Sequence, residues 1–287
     1  MFNVEVEGDY RPILKWAGGK RQILNYLLAN SPPSFDTYYE PFVGGGALLI
    51  ALYSLGRIKR AIISDINPDI INLYNIIKNA PYELIEELEN IKYKNKVADY
   101  YEARNEFNLM VFSIRRAALL IYLNRHGYNG LYRVNSSGKF NVPFGSYSNP
   151  MLPQTRQILR LNEILRNCEI LDVDFEKAVS SANKGDFVYF DPPYMPLNSS
   201  SYFTDYSSAG FTKEDQVRLF NTFSRLSEKG VLVMESNSDT DFIEKMYSKF
   251  NIIKIKAKRN INSVASKRGP INELVIRNYV SDITSLT

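Results

Sequence analysis

The stretch that decides the expected fold of this chain is Tyr38-Tyr39-Glu40-Pro41-Phe42-Val43-Gly44-Gly45-Gly46-Ala47. Its first half, Tyr38–Phe42, is aromatic and predicts a short strand that ends at the glycine cluster. The apolar residues that follow, Ala47–Leu55, predict a helix. Glycines between a strand and a helix permit a tight turn and bring the backbone close to a ligand. The stretch therefore indicates the strand–turn–helix unit of nucleotide-binding α/β proteins.

The strand predicted next along the chain supports this interpretation. It covers Arg60–Ser64 and runs into Asp65, which lies 21 residues after Gly44, about where nucleotide-binding units place a ribose-binding acid. Leu49 stands where a dinucleotide-binding motif would have its third glycine. A nucleoside ligand without phosphates is therefore favoured over a dinucleotide, and a purely structural glycine turn is the alternative.

Strands and helices continue to alternate on both sides of the middle of the chain. Asn67-Pro68 resembles an N-cap followed by a proline at the first helical position. The later predicted elements are helix Gln154–Arg166, strand Glu169–Asp172, helix Glu176–Ala182, strand Phe187–Phe190, a helix from Thr212 and strand Val231–Glu235. This order predicts an α/β protein with a doubly wound, mainly parallel sheet. Two late strands, Ile252–Ala257 and Leu274–Tyr279, have only a short connection, so we expect an antiparallel hairpin at one edge.

The middle of the chain has a different character. Pro81–Ile91 and Ala98–Arg125 have helical periodicity. Leu131–Val134 and Phe140–Val142 flank the turn residues Ser136-Ser137-Gly138 and predict a β-hairpin. These elements predict an inserted module within the α/β fold.

Composition limits the class of protein. The chain has 287 residues and 33.0 kDa, with 45% hydrophobic and 23% charged residues, which is typical of a globular protein. No apolar run approaches the roughly 20 residues that cross a bilayer, and the acidic N-terminal segment lacks the pattern of an export signal. One cysteine, Cys168, and one histidine, His126, exclude internal disulfides and leave too few ligands for a zinc site. We therefore expect a cytoplasmic protein with one catalytic domain, an insertion, no membrane association and no metal.

Basic residues are concentrated in two segments, although the net charge is only +4. Residues 107–162 contain no carboxylate and seven cations: Arg115, Arg116, Arg125, Arg133, Lys139, Arg156 and Arg160. Residues 251–268 also lack acids and contain Lys254, Lys256, Lys258, Arg259, Lys267 and Arg268. Such segments are expected where the phosphates of a polyanion are neutralised. A solvated basic face is the alternative.

The motif Asp191-Pro192-Pro193-Tyr194 directly follows the apolar strand Phe187–Phe190, at the strand end where α/β sheets bind ligands. Prolines lack N–H groups, so the Pro192 carbonyl and the Asp191 carboxylate can both face a pocket as acceptors. Two acceptors suit the two N–H donors of an exocyclic amine such as adenine N6, and Tyr194 offers a ring for the base to stack on. A lid over Met195–Phe211 is expected next to this motif.

Five segments together resemble the Dam family of DNA adenine N6-methyltransferases. In order they are Lys15-Trp16-Ala17-Gly18-Gly19-Lys20, Glu40–Ala47, Ser64-Asp65-Ile66-Asn67, Gly127–Tyr147 and Asp191–Tyr194. The resemblance spans nearly the whole chain and implies a Rossmann-like methyltransferase. It implies S-adenosylmethionine as methyl donor, double-stranded DNA as acceptor and GATC as target, with the adenine flipped out of the duplex. It also implies that residues 73–153 form a target-recognition domain inserted between catalytic parts 1–72 and 154–287.

The resemblance assigns roles to individual residues. The catalytic residues are Asp191, Pro192 and Tyr194, which would hold the flipped adenine. The cofactor would be bound by Trp16, Lys20, Gly44, Gly46, Asp65, Asp174, Phe175 and Asp191. The DNA would be contacted by Lys15, Tyr128, Asn129, Leu131, Arg133, Pro143 and Tyr147, with Arg133 placed to read a guanine.

The hypothesis that follows is direct methyl transfer to a positioned amine, with no covalent enzyme intermediate. Two acceptors and an aromatic ring also suit cytosine N4, an RNA base or a glutamine amide, so methylation of another amino group is the first alternative. A DNA-binding regulator without catalysis is the second, and an oxidoreductase is the least favoured. A companion restriction endonuclease is a possible partner that the reaction does not require.

Overall fold

The computed structural model describes residues 11–16, 18–194, 211–258 and 270–280. The strands in these residues are β1 (Thr37–Glu40), β2 (Arg60–Ser64), β3 (Cys168–Leu171), β4 (Phe187–Phe190), β5 (Leu232–Ser238), β6 (Asn251–Lys258) and β7 (Pro270–Arg277). They form one sheet in the order β3-β2-β1-β4-β5-β7-β6. Strands β1 to β5 pair in parallel, whereas β7 is antiparallel to both β5 and β6. The doubly wound, mainly parallel sheet and its antiparallel edge hairpin are therefore confirmed.

Helices cover both faces of this sheet. They are α1 (Leu24–Asn30), α2 (Ala47–Ser54), α3 (Pro68–Asn79), α4 (Pro81–Glu89), α5 (Val97–Leu109), α6 (Ile114–His126), α7 (Thr155–Arg166), α8 (Phe175–Ala178), α9 (Lys213–Glu228) and α10 (Asp241–Met246). Helices α1 to α7 contribute to the core on one face, and α8 to α10 to the core on the other. Along β4, Tyr189 belongs to the first core and its neighbours Val188 and Phe190 to the second, as strand alternation requires. In the described ranges, every helix is too short or too polar to cross a membrane.

Local sequence explains where two of the helices begin. Asn67 accepts a hydrogen bond from the Asp69 amide, and Pro68 occupies the first helical position of α3. Thr212 and Asp215 form a reciprocal capping box at the start of α9. Both starts agree with the sequence predictions.

The helix predicted over Ala98–Arg125 is wrong in one respect, because the structure divides it into α5 and α6. Ser113 caps α6 by accepting a hydrogen bond from the Arg116 amide. The Arg116 guanidinium donates to the carbonyls of Phe107 and Met110, at the end of α5. The apolar periodicity hid this break because both helices bury residues in the same core.

The predicted hairpin of the insertion is present but short. Its arms meet at an antiparallel bridge between Val134 and Phe140, next to hydrogen bonds from Asn135 to Lys139 and from Asn141 to Arg133. Most of the two arms is irregular backbone rather than strand.

Two further differences lie in the C-terminal part of the chain. Strand β5 continues through the polar residues 235–238, whereas the sequence predicted its end at Glu235. Helix α10, capped by Thr240, was not predicted. The expected lid over Met195–Phe211 lies outside the described residues except for Phe211.

The insertion shares one hydrophobic core with the sheet layer beside it. Tyr100, Phe107 and Tyr132 belong to the same buried cluster as Tyr38 and Tyr189 of the sheet. A buried ion pair adds a polar link. Asp69 at the start of α3 binds the Arg116 guanidinium at 2.6 Å and accepts a hydrogen bond from the Tyr132 hydroxyl at 2.6 Å. The division of the chain at residues 73 and 153 stays a prediction.

Candidate active site

The carboxyl ends of parallel strands bring the predicted site residues to one edge of the sheet. Strand β1 ends beside the glycine turn, β2 just before Asp65, and β4 just before Asp191. The chain leaves β1 toward the face covered by α2 and leaves β4 toward the face covered by α9. The neighbours β1 and β4 therefore form a topological switch point, where doubly wound sheets bind ligands.

Asp191 is held by two side chains at hydrogen-bond distance. Lys20 Nζ lies 2.8 Å from Asp191 Oδ1, and Ser236 Oγ donates to the same oxygen over 3.0 Å. The hydroxyls of Ser236 and Tyr189 are 2.7 Å apart, and Tyr189 is the donor in that pair because the Ser236 proton points to Asp191. No described residue donates to Asp191 Oδ2 through a hydrogen bond. This oxygen can therefore accept a donor from a ligand.

Burial and charge act in opposite directions on this pair. Burial raises the pKa of Asp191, and the Lys20 ammonium limits the rise. Burial lowers the pKa of Lys20, but the interactions with Asp191, Tyr189 and Glu273 together outweigh that effect, so the pKa of Lys20 is raised. The 2.8 Å contact between Lys20 and Asp191 thus has the geometry of an ion pair, in which each group favours the charged form of the other.

The ring of Tyr194 is positioned from two sides. Lys20 Nζ lies 4.4 Å from the ring centroid, and the Tyr194 hydroxyl donates to Glu273 Oε2 over 2.9 Å. The Pro192 carbonyl accepts no hydrogen bond from the described residues, which leaves it as an acceptor beside Asp191. Sequence reasoning missed Glu273, since it reaches the site only through the antiparallel pairing of β7 with β5.

The glycine turn is shaped by close contacts that a side chain would prevent. Gly44 has φ +44°, and a Cβ on it would lie 2.6 Å from the Trp16 indole. Its amide donates to Asp65 Oδ2 over 2.9 Å, and its carbonyl accepts from the Tyr74 hydroxyl over 2.7 Å. Gly46 has φ +67° and caps α2. The structure thus brings together Trp16, Gly44, Gly46 and Asp65, as the sequence predicted.

Two carboxyl groups at this turn have strongly raised pKa values. Burial raises the pKa of Asp65 to about 6, although amides of Asn67 and Gly44 donate to the carboxylate. Burial also raises the pKa of Glu40 to about 8, and the Tyr38 hydroxyl donates to Glu40 Oε2 over 3.0 Å. Glu40 belongs to the quoted glycine stretch but was not among the predicted site residues. Its position as the last residue of a buried strand beside Asp65 was the available signal.

Asp174 and Phe175 lie at the start of α8 and are engaged within the protein. Asp174 caps the helix and pairs with Arg218 at 3.0 Å. Phe175 is 3% exposed and stacks on Phe42 with ring centroids 5.4 Å apart. Their predicted contact with the cofactor stays a prediction.

Five of the predicted DNA-binding residues gather around one buried amide. Asn124 accepts from the Lys15 amide over 2.8 Å and donates to the carbonyls of Lys15 and Gly130. A Cβ on Gly130 would lie 2.4 Å from Lys15 Cβ, so the two segments touch. Around this junction, Lys15 Nζ lies over the Tyr147 ring at 4.5 Å, the Asn129 amide donates to the Tyr147 hydroxyl, and the Tyr128 amide donates to the Pro143 carbonyl. Asn124 was not predicted, because nothing in its local sequence distinguishes it from other helical residues.

The remaining predicted DNA contacts differ in exposure. Arg133 is exposed, and its Nε donates to Asn141 Oδ1 over 2.7 Å across the hairpin. Leu131 is half-buried and packs against the core, so part of its side chain faces inward. The structure therefore places Arg133 on the surface and Leu131 at its margin.

Most of the chain matches a family of known proteins. Residues 16–261 match the D12 class of N6 adenine-specific DNA methyltransferases. The chain belongs to this family. It is 44% identical to the type II methyltransferase M1.LlaDCHI of Lactococcus lactis subsp. cremoris, covering 94% of this chain and 96% of that protein. It is 42% identical to the type II methyltransferase M.MjaIII of Methanocaldococcus jannaschii, with 94% and 100% covered, and 36% identical to the DNA adenine methylase of Escherichia coli, with 92% and 94% covered.

Family membership confirms the predicted adenine-N6 DNA methyltransferase and its DNA substrate. The alternatives of a non-catalytic regulator, an oxidoreductase and a methyltransferase for another amino group are therefore set aside. Asp191 and Pro192 directly follow β4, and the neighbouring strand β1 ends just before the glycine turn.

The structure corrects the interpretation of the basic segments in this methyltransferase. Arg115 binds Glu87 and Glu106 at 2.7 Å each, and Arg116 binds Asp69. Other members also have internal partners: Arg125 donates to the Ile13 carbonyl, Arg160 pairs with Glu163, and Lys254 pairs with Asp239 and Glu244. A segment that contains no acidic residues can therefore still have acidic neighbours in the folded protein, because folding brings carboxylates from other elements. Among the arginines and lysines of residues 107–162, Arg133 and Lys139 on the hairpin and Arg156 and Arg160 on α7 are exposed.

The single histidine and the single cysteine, His126 and Cys168, which are too few for a zinc site, are both buried. His126 Nδ1 lies 2.8 Å from the Tyr122 carbonyl, and burial lowers the pKa of the imidazole. Burial raises the pKa of the Cys168 thiol to about 12. Among the described residues, no group of three or more His, Cys, Asp or Glu side chains is arranged to hold a metal ion.

Proposed function

We propose that this enzyme transfers the methyl group of S-adenosylmethionine to adenine N6 within GATC in duplex DNA, with the adenine rotated out of the helix. One observation carries the proposal. Asp191 Oδ2 and the Pro192 carbonyl both lack a hydrogen-bond donor among the described residues, and they belong to the same four-residue segment after β4 as Tyr194. This arrangement has the acceptors and the stacking surface that a flipped adenine requires.

The residues at the glycine turn fit the proposed cofactor. Asp65 is a half-buried carboxylate that can accept from ribose hydroxyls, and Lys20 is a buried ammonium that can bind a carboxylate. Gly44 and Gly46 have positive φ angles and no side chains. The backbone of the turn therefore lies close to Trp16. S-adenosylmethionine supplies a methyl group already activated by a sulfonium. The protein therefore has to bind and orient both partners rather than form a covalent intermediate.

For the adenine, the two acceptors determine the direction of the amine. The carboxylate of Asp191 and the Pro192 carbonyl can each accept one N–H of N6, which fixes the nitrogen relative to the cofactor pocket. The charge of Asp191 stabilises the positive charge that develops on nitrogen during transfer. Tyr194, held by Glu273, supplies the face on which the base stacks.

For the DNA, the contacts of Asn124 join Lys15, which precedes Trp16, to Gly130, which precedes the hairpin. Lys15 and Arg133 would read base edges, with Arg133 bidentate to a guanine. Tyr128 and Asn129 would support the distorted duplex, and Leu131, Pro143 and Tyr147 would pack on bases or sugars. GATC as target rests on the resemblance to the Dam family. The type II names of two relatives support a role beside a companion endonuclease, and the cytoplasmic location stays a prediction.

Labelled methyl transfer tests the proposal. Purified protein is mixed with methyl-labelled S-adenosylmethionine and duplexes that contain GATC or a permuted tetranucleotide. We expect label in adenine N6 of the GATC duplex, and protection of treated plasmid from a nuclease that cuts only unmethylated GATC. Asp191→Ala should abolish transfer while the variant stays folded. Equal labelling of the permuted duplex would reject GATC, and near-normal turnover by Asp191→Ala would reject the role of the carboxylate.

A further inference from the structure

Gln216 on α9 contacts the loop Asp191–Tyr194, the motif loop. Its Nε2 donates to the Pro193 carbonyl over 3.3 Å, and the residue is fully buried. Neither proline of the loop has an N–H, so the loop offers few backbone groups through which the protein can hold it. The Pro193 carbonyl is one of these backbone groups, and it lies one residue after the Pro192 carbonyl.

This contact is the end of a chain of buried hydrogen bonds. Asn237 Nδ2 donates to Gln216 Oε1 over 3.0 Å and to Glu235 Oε1 over 2.7 Å. The Tyr247 hydroxyl of α10 donates to Glu235 Oε2 over 2.7 Å. These four side chains are all 0% exposed. Buried amides and a carboxyl group in contact have few alternative partners, so their orientations depend on one another.

The carboxylate determines the direction of every bond in this chain. An ionised Glu235 only accepts, so Asn237 must turn its NH₂ group toward it. The same NH₂ group faces Gln216, which must then present its oxygen to Asn237 and its own NH₂ group to Pro193. The Pro193 carbonyl can only accept. Only one set of donor and acceptor orientations therefore satisfies both the hydrogen-bond chain and the loop.

We propose that Gln216, Asn237, Glu235 and Tyr247 form a positioning network that fixes the Asp191–Tyr194 loop for methyl transfer. These are positioning residues, since they act through the Pro193 carbonyl and do not touch the reacting atoms. The inference rests on the proposed role of this loop in holding the target amine. It adds residues on α9, β5 and α10 that neither the sequence motifs nor the family description includes.

The network depends on the charge of Glu235. Burial raises the pKa of Glu235 to about 7, the bonds from Asn237 and Tyr247 oppose the rise, and the Asp191 charge adds to it. Among the described residues, the ionisable groups that act on Glu235 are Tyr247 on α10 and Asp191 after β4, and its own strand contributes the neutral Asn237. A protonated Glu235 would carry an O–H opposite two donors, which would disrupt the arrangement.

Single-turnover methyl transfer to duplex DNA tests this network in three variants. Gln216→Met removes the bond to Pro193 at similar volume, and Tyr247→Phe removes only the outermost donor. Thr222→Val is the control, because Thr222 is equally buried on the same helix and outside the network. We expect Gln216→Met to lower the transfer rate about 10- to 100-fold, because small misplacement of a reacting group is costly. Binding of S-adenosylmethionine should be unchanged, and Thr222→Val should behave as wild type.

The pH dependence separates positioning from a merely structural role. Without the Tyr247 hydroxyl, the pKa of Glu235 rises further, so Tyr247→Phe should be slow near pH 7 and approach the wild-type rate near pH 9. A wild-type rate for folded Gln216→Met overturns the inference. A loss of transfer rate in Tyr247→Phe that is equal at every pH also overturns the inference. If Gln216→Met does not fold, the pH dependence of Tyr247→Phe decides. If wild-type enzyme transfers no methyl group, the proposed function fails, and the inference falls with it.

Discussion

Lys20 Nζ occupies the site at which Asp191 and Tyr194 meet, 2.8 Å from the carboxylate of the first and 4.4 Å from the ring centroid of the second. An ammonium with N–H donors beside an acceptor and an aromatic ring makes the same kinds of contact that a target amine would make. Lys20 also donates to the Gly18 carbonyl over 2.7 Å, which ties it to the segment before α1. This side chain therefore connects the segment before α1 to the Asp191–Tyr194 loop.

The first prediction concerns the charge of Lys20. In Lys20→Met, the burial of Asp191 is no longer opposed by an ammonium, so the pKa of Asp191 rises further. Because the carboxylate form binds the amine, the acid limb of the transfer rate should move to higher pH, and activity lost at low pH should return as pH increases. Rates at saturating S-adenosylmethionine across pH measure the shift. Lys20→Arg retains the charge and should keep the wild-type limb, and an unmoved limb in Lys20→Met would contradict the role given to the ion pair.

The second prediction uses Trp16, the single tryptophan of the sequence, as a reporter of cofactor binding. Gly44→Ala places a Cβ against the indole and forces a side chain into a left-handed conformation, so affinity for S-adenosylmethionine should fall at least about tenfold. Titration of Trp16 fluorescence with the cofactor measures it. Gly56→Ala is the control, since Gly56 also has a positive φ, +69°, but a Cβ added there would meet no atom within 4 Å. Equal affinity in both variants would argue against a cofactor site at this turn.

The third prediction concerns sequence discrimination. Arg133→Ala should reduce discrimination at one base of the target by roughly 1–3 kcal/mol, because a bidentate contact to guanine is lost. Lys139→Ala, also exposed on the hairpin, should weaken binding to all sequences alike and reduce the salt dependence. Transfer rates on duplexes with single substitutions measure the first effect, and DNA affinity at several salt concentrations measures the second. A specificity ratio in Arg133→Ala equal to that of wild type would remove Arg133 from the readout.

The fourth prediction concerns stability. Arg116→Met leaves Asp69 buried without its guanidinium partner and should lower the free energy of unfolding by about 3 kcal/mol. Arg160→Met breaks an exposed pair with Glu163 and should cost less than about 1 kcal/mol. Urea denaturation of both variants gives the comparison. Similar losses for the two would show that the buried pair does not join α3 to α6 as its geometry indicates.

Local sequence was sufficient to predict most of the fold. Strand β2 and strand β4 have the bounds that the sequence predicted, and Asn67 and Thr212 cap the helices expected to begin there. These features depend on neighbouring residues, through hydrophobic alternation and side-chain capping bonds. The break between α5 and α6 escaped prediction because it depends on Arg116 reaching back to the carbonyls of Phe107 and Met110.

The candidate site divides in the same way. The sequence by itself determined that Gly44, Asp65 and Asp191 would lie at one edge of the sheet, because each follows a parallel strand and parallel strands end at the same edge of a sheet. Only the tertiary structure decided what surrounds them. Glu273 and Gln216 reach the motif loop from a distant antiparallel strand and from a helix of the other layer, and the arginines of the middle segment find carboxylates on other elements. Such partners are selected by packing in three dimensions, which leaves no periodicity or spacing in the sequence.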